Sequence, residues 1–140
     1  MEKIERFRNT VLKKLAADGD DNGELIKLIT EAKISDHWGC NETIKMGRVR
    51  NIADFSTTIF HEAGHKILGA GSTPEEEELC HDFSRRTCER LNLPFDEELT
   101  NIYREFVKLA NEQSNNPEIF IRKIDSLSIK HRRLLSIDFY

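Results

Sequence analysis

The sequence predicts one domain of the α+β class, mainly helical, with a small strand element ahead of its central helices. Three observations carry this. Apolar residues recur at helical spacing along most of the chain, and that spacing is lost over residues 34–51. The length of 140 residues is that of one domain.

Residues 2–17 read as a first helix, with Ile4, Phe7, Val11, Leu12 and Leu15 on one stripe. The run Asp18-Gly19-Asp20-Asp21-Asn22-Gly23 ends it. Residues 23–33 read as a short second helix with Leu25, Ile26, Leu28 and Ile29 turned inward. Over residues 34–51 the character changes, and Thr43 to Val49 suits one or two short strands with Gly47 as a bulge or turn. Asn51 then caps a third helix, with Asp54 in capping-box position, and Gly69-Ala70-Gly71 closes it. Ser72 or Thr73 caps the fourth helix, which has Pro74 in its first turn and Glu75, Glu76, Glu77 and Glu78 near its positive end. Residues 95–112 form a further amphipathic helix, capped by Asp96, with Leu99, Ile102, Tyr103, Phe106, Val107 and Ala110 at core spacing. After the break at Ser114-Asn115-Asn116-Pro117, residues 117–135 read as a locally basic last helix, followed by the apolar tail Ile137-Asp138-Phe139-Tyr140. The single domain 1–140 thus divides into N-terminal helices (1–33), a strand or loop stretch (34–51), two central helices (52–94) and C-terminal helices (95–140).

Composition narrows the classes. Hydrophobic residues are 38% and charged residues 33%, the balance of a soluble helical protein. A net charge of −4 gives no general attraction to nucleic acid or to an anionic membrane, so neither is expected as a partner. No apolar run approaches the roughly 18 residues of a membrane span, and Met1 to Arg6 carries no apolar signal core. Three cysteines, an odd number, do not suggest a disulfide framework, and a cytoplasmic location is expected.

The chemistry concentrates in Ile59-Phe60-His61-Glu62-Ala63-Gly64-His65. His61 and His65 lie four apart, on one face of a helix, with Cβ atoms roughly 6 Å from each other. Phe60, Ala63 and Ile67 occupy the opposite face. Two imidazoles so placed hold one zinc ion, and Glu62 reaches the position left open, where a carboxylate takes a proton from zinc-bound water. A catalytic zinc needs a third protein ligand, and Glu78, His81 and Glu77 are the candidates. His37 and Cys40 are metal-binding types by chemistry. Tyr103, His37, His81 and Tyr140 are the candidate donors to a developing oxyanion.

His61-Glu62-Ala63-Gly64-His65, followed by Glu78-Leu79-Cys80-His81-Asp82-Phe83-Ser84 and closed by Leu91-Asn92-Leu93-Pro94, resembles the small gluzincin zinc metallopeptidases. These include the minimal Ste24/HtpX-related domains and the ImmA/IrrE-type enzymes. The resemblance covers residues 43–94 and implies a zincin-like fold with a strand beside the zinc cleft that pairs with extended substrate. It implies Zn2+ held by His61, His65 and Glu78, Asp82 supporting a zinc-bound histidine, and Glu62 as general base in peptide-bond hydrolysis. The metzincin pattern is excluded, because its third ligand would fall on Gly71, which has no side chain. Three departures stand out: the frequent Glu-Ala-Asn-x-Phe-Ala is only loosely echoed by Leu79-Cys80-His81-Asp82-Phe83-Ser84, the extra histidine frequent shortly after the motif is missing, and the repressor-binding segments of larger members have no counterpart. The expected partners are a protein or peptide substrate and a possible protein regulator. The competing expectation is a non-catalytic interaction or regulatory module with a structural or vestigial metal site.

Overall fold

The computed structural model describes residues 2–19, 22–34, 45–46, 51–71 and 73–112. Five helices fill it: α1 (Glu2–Asp18), α2 (Gly23–Glu31), α3 (Ile52–Leu68), α4 (Pro74–Arg90) and α5 (Glu97–Glu112). The expected α+β class is therefore corrected to a helical one. The paired extended backbone among the described residues amounts to Lys33–Ile34 beside Lys45–Met46, parallel, in register Lys33↔Lys45 and Ile34↔Met46. Two residues a side form no sheet layer and cover no face of the core. Loss of helical spacing over 34–51 is a sequence signal against a helix, and it does not by itself require a ladder. No strand flanking the cleft as a zincin edge occurs among the described residues. Most of the Thr43–Val49 stretch, His37, Cys40, the expected helix over 117–135 and the tail with Tyr140 lie outside the described residues.

The helices form where caps and apolar faces coincide. Asn51 Oδ1 accepts from the Asp54 backbone N–H at 2.8 Å and starts α3. Gly69 ends it in the left-handed region, at φ 63°, where a glycine carries no Cβ penalty. Of the two candidate caps for α4, Thr73 does the work: its Oγ1 accepts from Glu76 N at 3.2 Å, while Glu76 reaches back to Thr73 Oγ1 and to Gly71 N. Asp96 Oδ1 caps α5 through Leu99 N at 2.9 Å.

The core lies where α1 and α2 pack against α3. Val11, Leu15, Ile29, Phe55, Ile59, Phe60 and Ala63 are fully buried. Each large apolar side chain buried there contributes about 1.5–3 kcal/mol relative to exposure. Phe7 meets Phe55 edge-on at 5.6 Å between ring centroids. Arg8, itself buried, donates from Nη1 to the carbonyls of Ala32 at 2.8 Å and Thr30 at 3.3 Å, covering the last carbonyls of α2. No described helix is long and apolar enough to cross a membrane.

Only residues 69–73 separate α3 from α4, so the two run antiparallel as a hairpin, the closest-packed pair of helices described. Gly64 sits at their crossing. A Cβ there would lie 3.1 Å from Phe83 Cδ1 and 3.5 Å from Cys80 Cα, so any larger residue would make the Phe83 ring give way by a few tenths of an ångström. Lower down, Ser84 Oγ donates to the Thr57 carbonyl at 2.7 Å. Residue 57 therefore faces 84, 61 faces 81, and 65 faces 77.

Candidate metal centre

That register builds the site. His61 Nε2 lies 3.0 Å from Glu77 Oε2, His65 Nε2 lies 3.1 Å from Glu77 Oε1, and the two Nε2 atoms are 3.1 Å apart. These form the one group of three or more metal-ligating side chains among the described residues whose donor atoms converge within 4.8 Å. Side-chain exposure is 12%, 21% and 14% for His61, His65 and Glu77, so the donors meet at the edge of the protein rather than in open solvent. A tetrahedral zinc with bonds of about 2.0–2.1 Å needs donors about 3.3–3.4 Å apart. An outward shift of a few tenths of an ångström reaches that spacing.

The turn after α3 sets the tautomer of His65. Gly69 swings the chain so that Ala70 N donates to the His65 carbonyl, and the Ala70 carbonyl lies 3.1 Å from His65 Nδ1. A carbonyl only accepts, so Nδ1 carries the proton and Nε2 presents a lone pair. That lone pair faces a carboxylate oxygen and a second imidazole nitrogen. Such an arrangement repels unless a proton or a cation lies between. The proton solution appears as an imidazole of His65 pushed up to about 9, chiefly by its hydrogen bond to Glu77. Burial pushes the Glu77 carboxyl up, but its bonds to His61 and His65 outweigh this and hold it down at about 2. A divalent cation is the other solution, and the donor set of two imidazoles and a carboxylate suits zinc.

Glu62 is half-buried beside the cluster. Burial raises its carboxyl above the ordinary range, against the pull of His61 and His65. Tyr103, on α5, is also raised by burial, and it feels the charges of Asp54, Glu62 and Asp96. His81 is 3% exposed, its ring 4.4 Å from that of His61 and tilted by 34°. Burial depresses it to about 4, so it is neutral at ordinary pH. Neither His81 Nε2 nor His61 Nδ1 has a hydrogen-bond partner among the described residues.

Two of the expected site residues lie away from the histidines. Glu78 does not face the histidines: it lies one residue round the helix, and Arg104 of α5 donates to it from Nε at 2.6 Å. Glu77 is the carboxylate that meets both histidines, because the five-residue turn sets 77 rather than 78 opposite 65. Asp82 is engaged at the surface by Arg85 at 2.6 Å and Arg86 at 2.8 Å, and it supports neither histidine. The acceptor for His65 is instead the Ala70 carbonyl. Sequence reasoning missed Ala70 and Arg104. The signal available for Glu77 was a second pair four apart, Glu77 and His81, set against His61 and His65 across a short turn.

Comparison with protein-family models, curated proteins and solved structures gives no match to this chain.

Proposed function

We propose that the chain is a gluzincin-type zinc metallopeptidase, acting in the cytoplasm on a protein or peptide, with His61, His65 and Glu77 as ligands. The observation that carries this reading is the convergence of three donor groups, with a half-buried carboxylate, Glu62, beside them. Zinc bound there would supply a polarising charge and acidify a water at the site. Glu62 accepts the proton as water oxygen bonds to the peptide carbonyl carbon. It returns that proton to the amine nitrogen as the C–N bond breaks. Its raised pKa suits both transfers, since a base poised nearer neutrality also serves as an acid. Tyr103, which feels the charge of Glu62, is our candidate for steadying charge on the carbonyl oxygen. The free, buried thiols of Cys80 and Cys88 fit a reducing compartment.

The test uses the full chain loaded with zinc and the Glu62→Gln variant, each incubated with a mixed peptide library and read by mass spectrometry. The reading expects one zinc per chain in both and cleavage in the wild type alone. A second reading, a non-catalytic regulatory module around a structural metal, is favoured by His81 crowding against His61. One zinc per chain with no cleavage by either protein selects it.

A further inference from the structure

The antiparallel register places two pairs of ligand-type residues face to face. His61 and His65 are four apart on α3, and Glu77 and His81 are four apart on α4. Three of the four meet. The fourth, His81, is 97% removed from solvent, rests against the His61 ring, and carries a buried Nε2 with no partner among the described residues. An imidazole nitrogen is seldom left so, because a buried polar atom that exchanges its water for nothing costs stability. We propose that His81 is a fourth protein ligand of the same ion, giving a closed four-coordinate resting state that must open before substrate can bind.

The chemistry of the four positions supports this. Tetrahedral sites with four protein ligands are closed and structural in behaviour, whereas catalytic ones keep a position vacant. Three imidazoles and one carboxylate make an ordinary zinc set. His81 stands outside the group whose donor atoms lie within 4.8 Å, so its ring must turn toward the other three. That turn exchanges a nitrogen with no partner for a metal bond. The opening step is a ligand exchange: the His81 nitrogen leaves the ion and solvent or a carbonyl oxygen enters, with no change of oxidation state. The Glu78–Arg104 contact, on the α5 side of α4, lies in the groove that also holds Glu77 and His81. A substrate entering there meets the element that carries the displaceable ligand.

The inference rests on the metal-binding part of the proposed function and on hydrolysis only for its last consequence. Zinc-edge X-ray absorption on the wild-type, full-length protein counts imidazoles directly. Three are expected; two overturn the inference, as does a protein that takes up no zinc. Substitution His81→Asn removes the imidazole while keeping a polar side chain, and His81→Phe removes it while keeping a ring. Circular dichroism of the metal-free variants checks that they fold. In folded variants the absorption count falls to two and the cobalt-substituted protein moves from a four-coordinate to a more solvated visible spectrum. Identical spectra in wild type and a folded variant overturn the inference. Cleavage reads separately: a faster His81→Asn enzyme supports a resting lock, and one that is slower with zinc retained overturns the lock. Absence of cleavage with three imidazoles counted defeats the hydrolase reading and leaves the fourth ligand in place.

Discussion

Glu77 offers one oxygen to each histidine, so removing its charge while keeping its shape is the sharpest single-residue perturbation of the site. Glu77→Gln is expected to weaken zinc binding by ~100-fold or more, beyond the roughly 10–100-fold that loss of an outer partner costs. Glu78→Gln, which only releases Arg104, is expected to change it by less than about threefold. Chelator competition measures both. The family spacing pointed to Glu78, because it fixes a distance along the chain and not the register across a turn. A second expectation concerns protons. Without metal, His65 has its pKa raised from 6.5 to about 9. Its bond to Glu77 therefore stabilises the metal-free fold fully below 6.5, and that contribution is lost as pH rises through about 9. Zinc competes with the same proton. For one proton displaced, affinity is expected to rise by about tenfold per pH unit, from neutrality until about 9. Calorimetry in buffers of different ionisation enthalpy reads the released proton directly, and a pH-independent affinity contradicts this account.

Helix by helix, the site depends on how closely α3 and α4 approach. Gly64 stands between the two histidines of the motif, and its missing side chain lets Phe83 and the Cys80 backbone come into contact. Gly64→Ala is expected to cost about 1–3 kcal/mol where the Phe83 ring, and α4 with it, shift to relieve a 3.1 Å contact. It is also expected to lower zinc affinity, since Glu77 moves with α4. Thermal melts and metal titration check the two effects. Much at this scale was legible in the sequence. The apolar stripe of the first helix, the Asn51 and Asp96 caps and the Gly69 stop are local signals, and local signals are set by backbone hydrogen bonding and sterics. The strand expected before the motif was not, because Thr, Val and Gly over 43–49 show only what disfavours a helix. Ladder formation depends on a partner elsewhere in the chain, and the described partner contributes two residues.

For the whole molecule, a metal held by side chains on two helices ties binding to folding. A ligand at 1,000 times its Kd adds about 4 kcal/mol to the folded state. For a chain of this size that raises Tm by roughly 10–15 °C. Zinc is expected to produce such a rise in the wild type, EDTA to reverse it, and Glu77→Gln to abolish most of it. An unchanged melt with zinc bound would place the ion on residues that do not join the helices. The apolar core shared by α1, α2, α3 and the end of α4 contains none of the three donor residues, so the metal-free chain is expected to keep its helical circular dichroism at low temperature.

The most direct measurement is an anomalous difference map at the zinc edge from crystals grown with zinc. The account predicts one strong peak per chain within about 2.0–2.1 Å of His61 Nε2 and His65 Nε2 and beside a Glu77 oxygen. A peak on Glu78, or no peak between the two imidazoles, would contradict it.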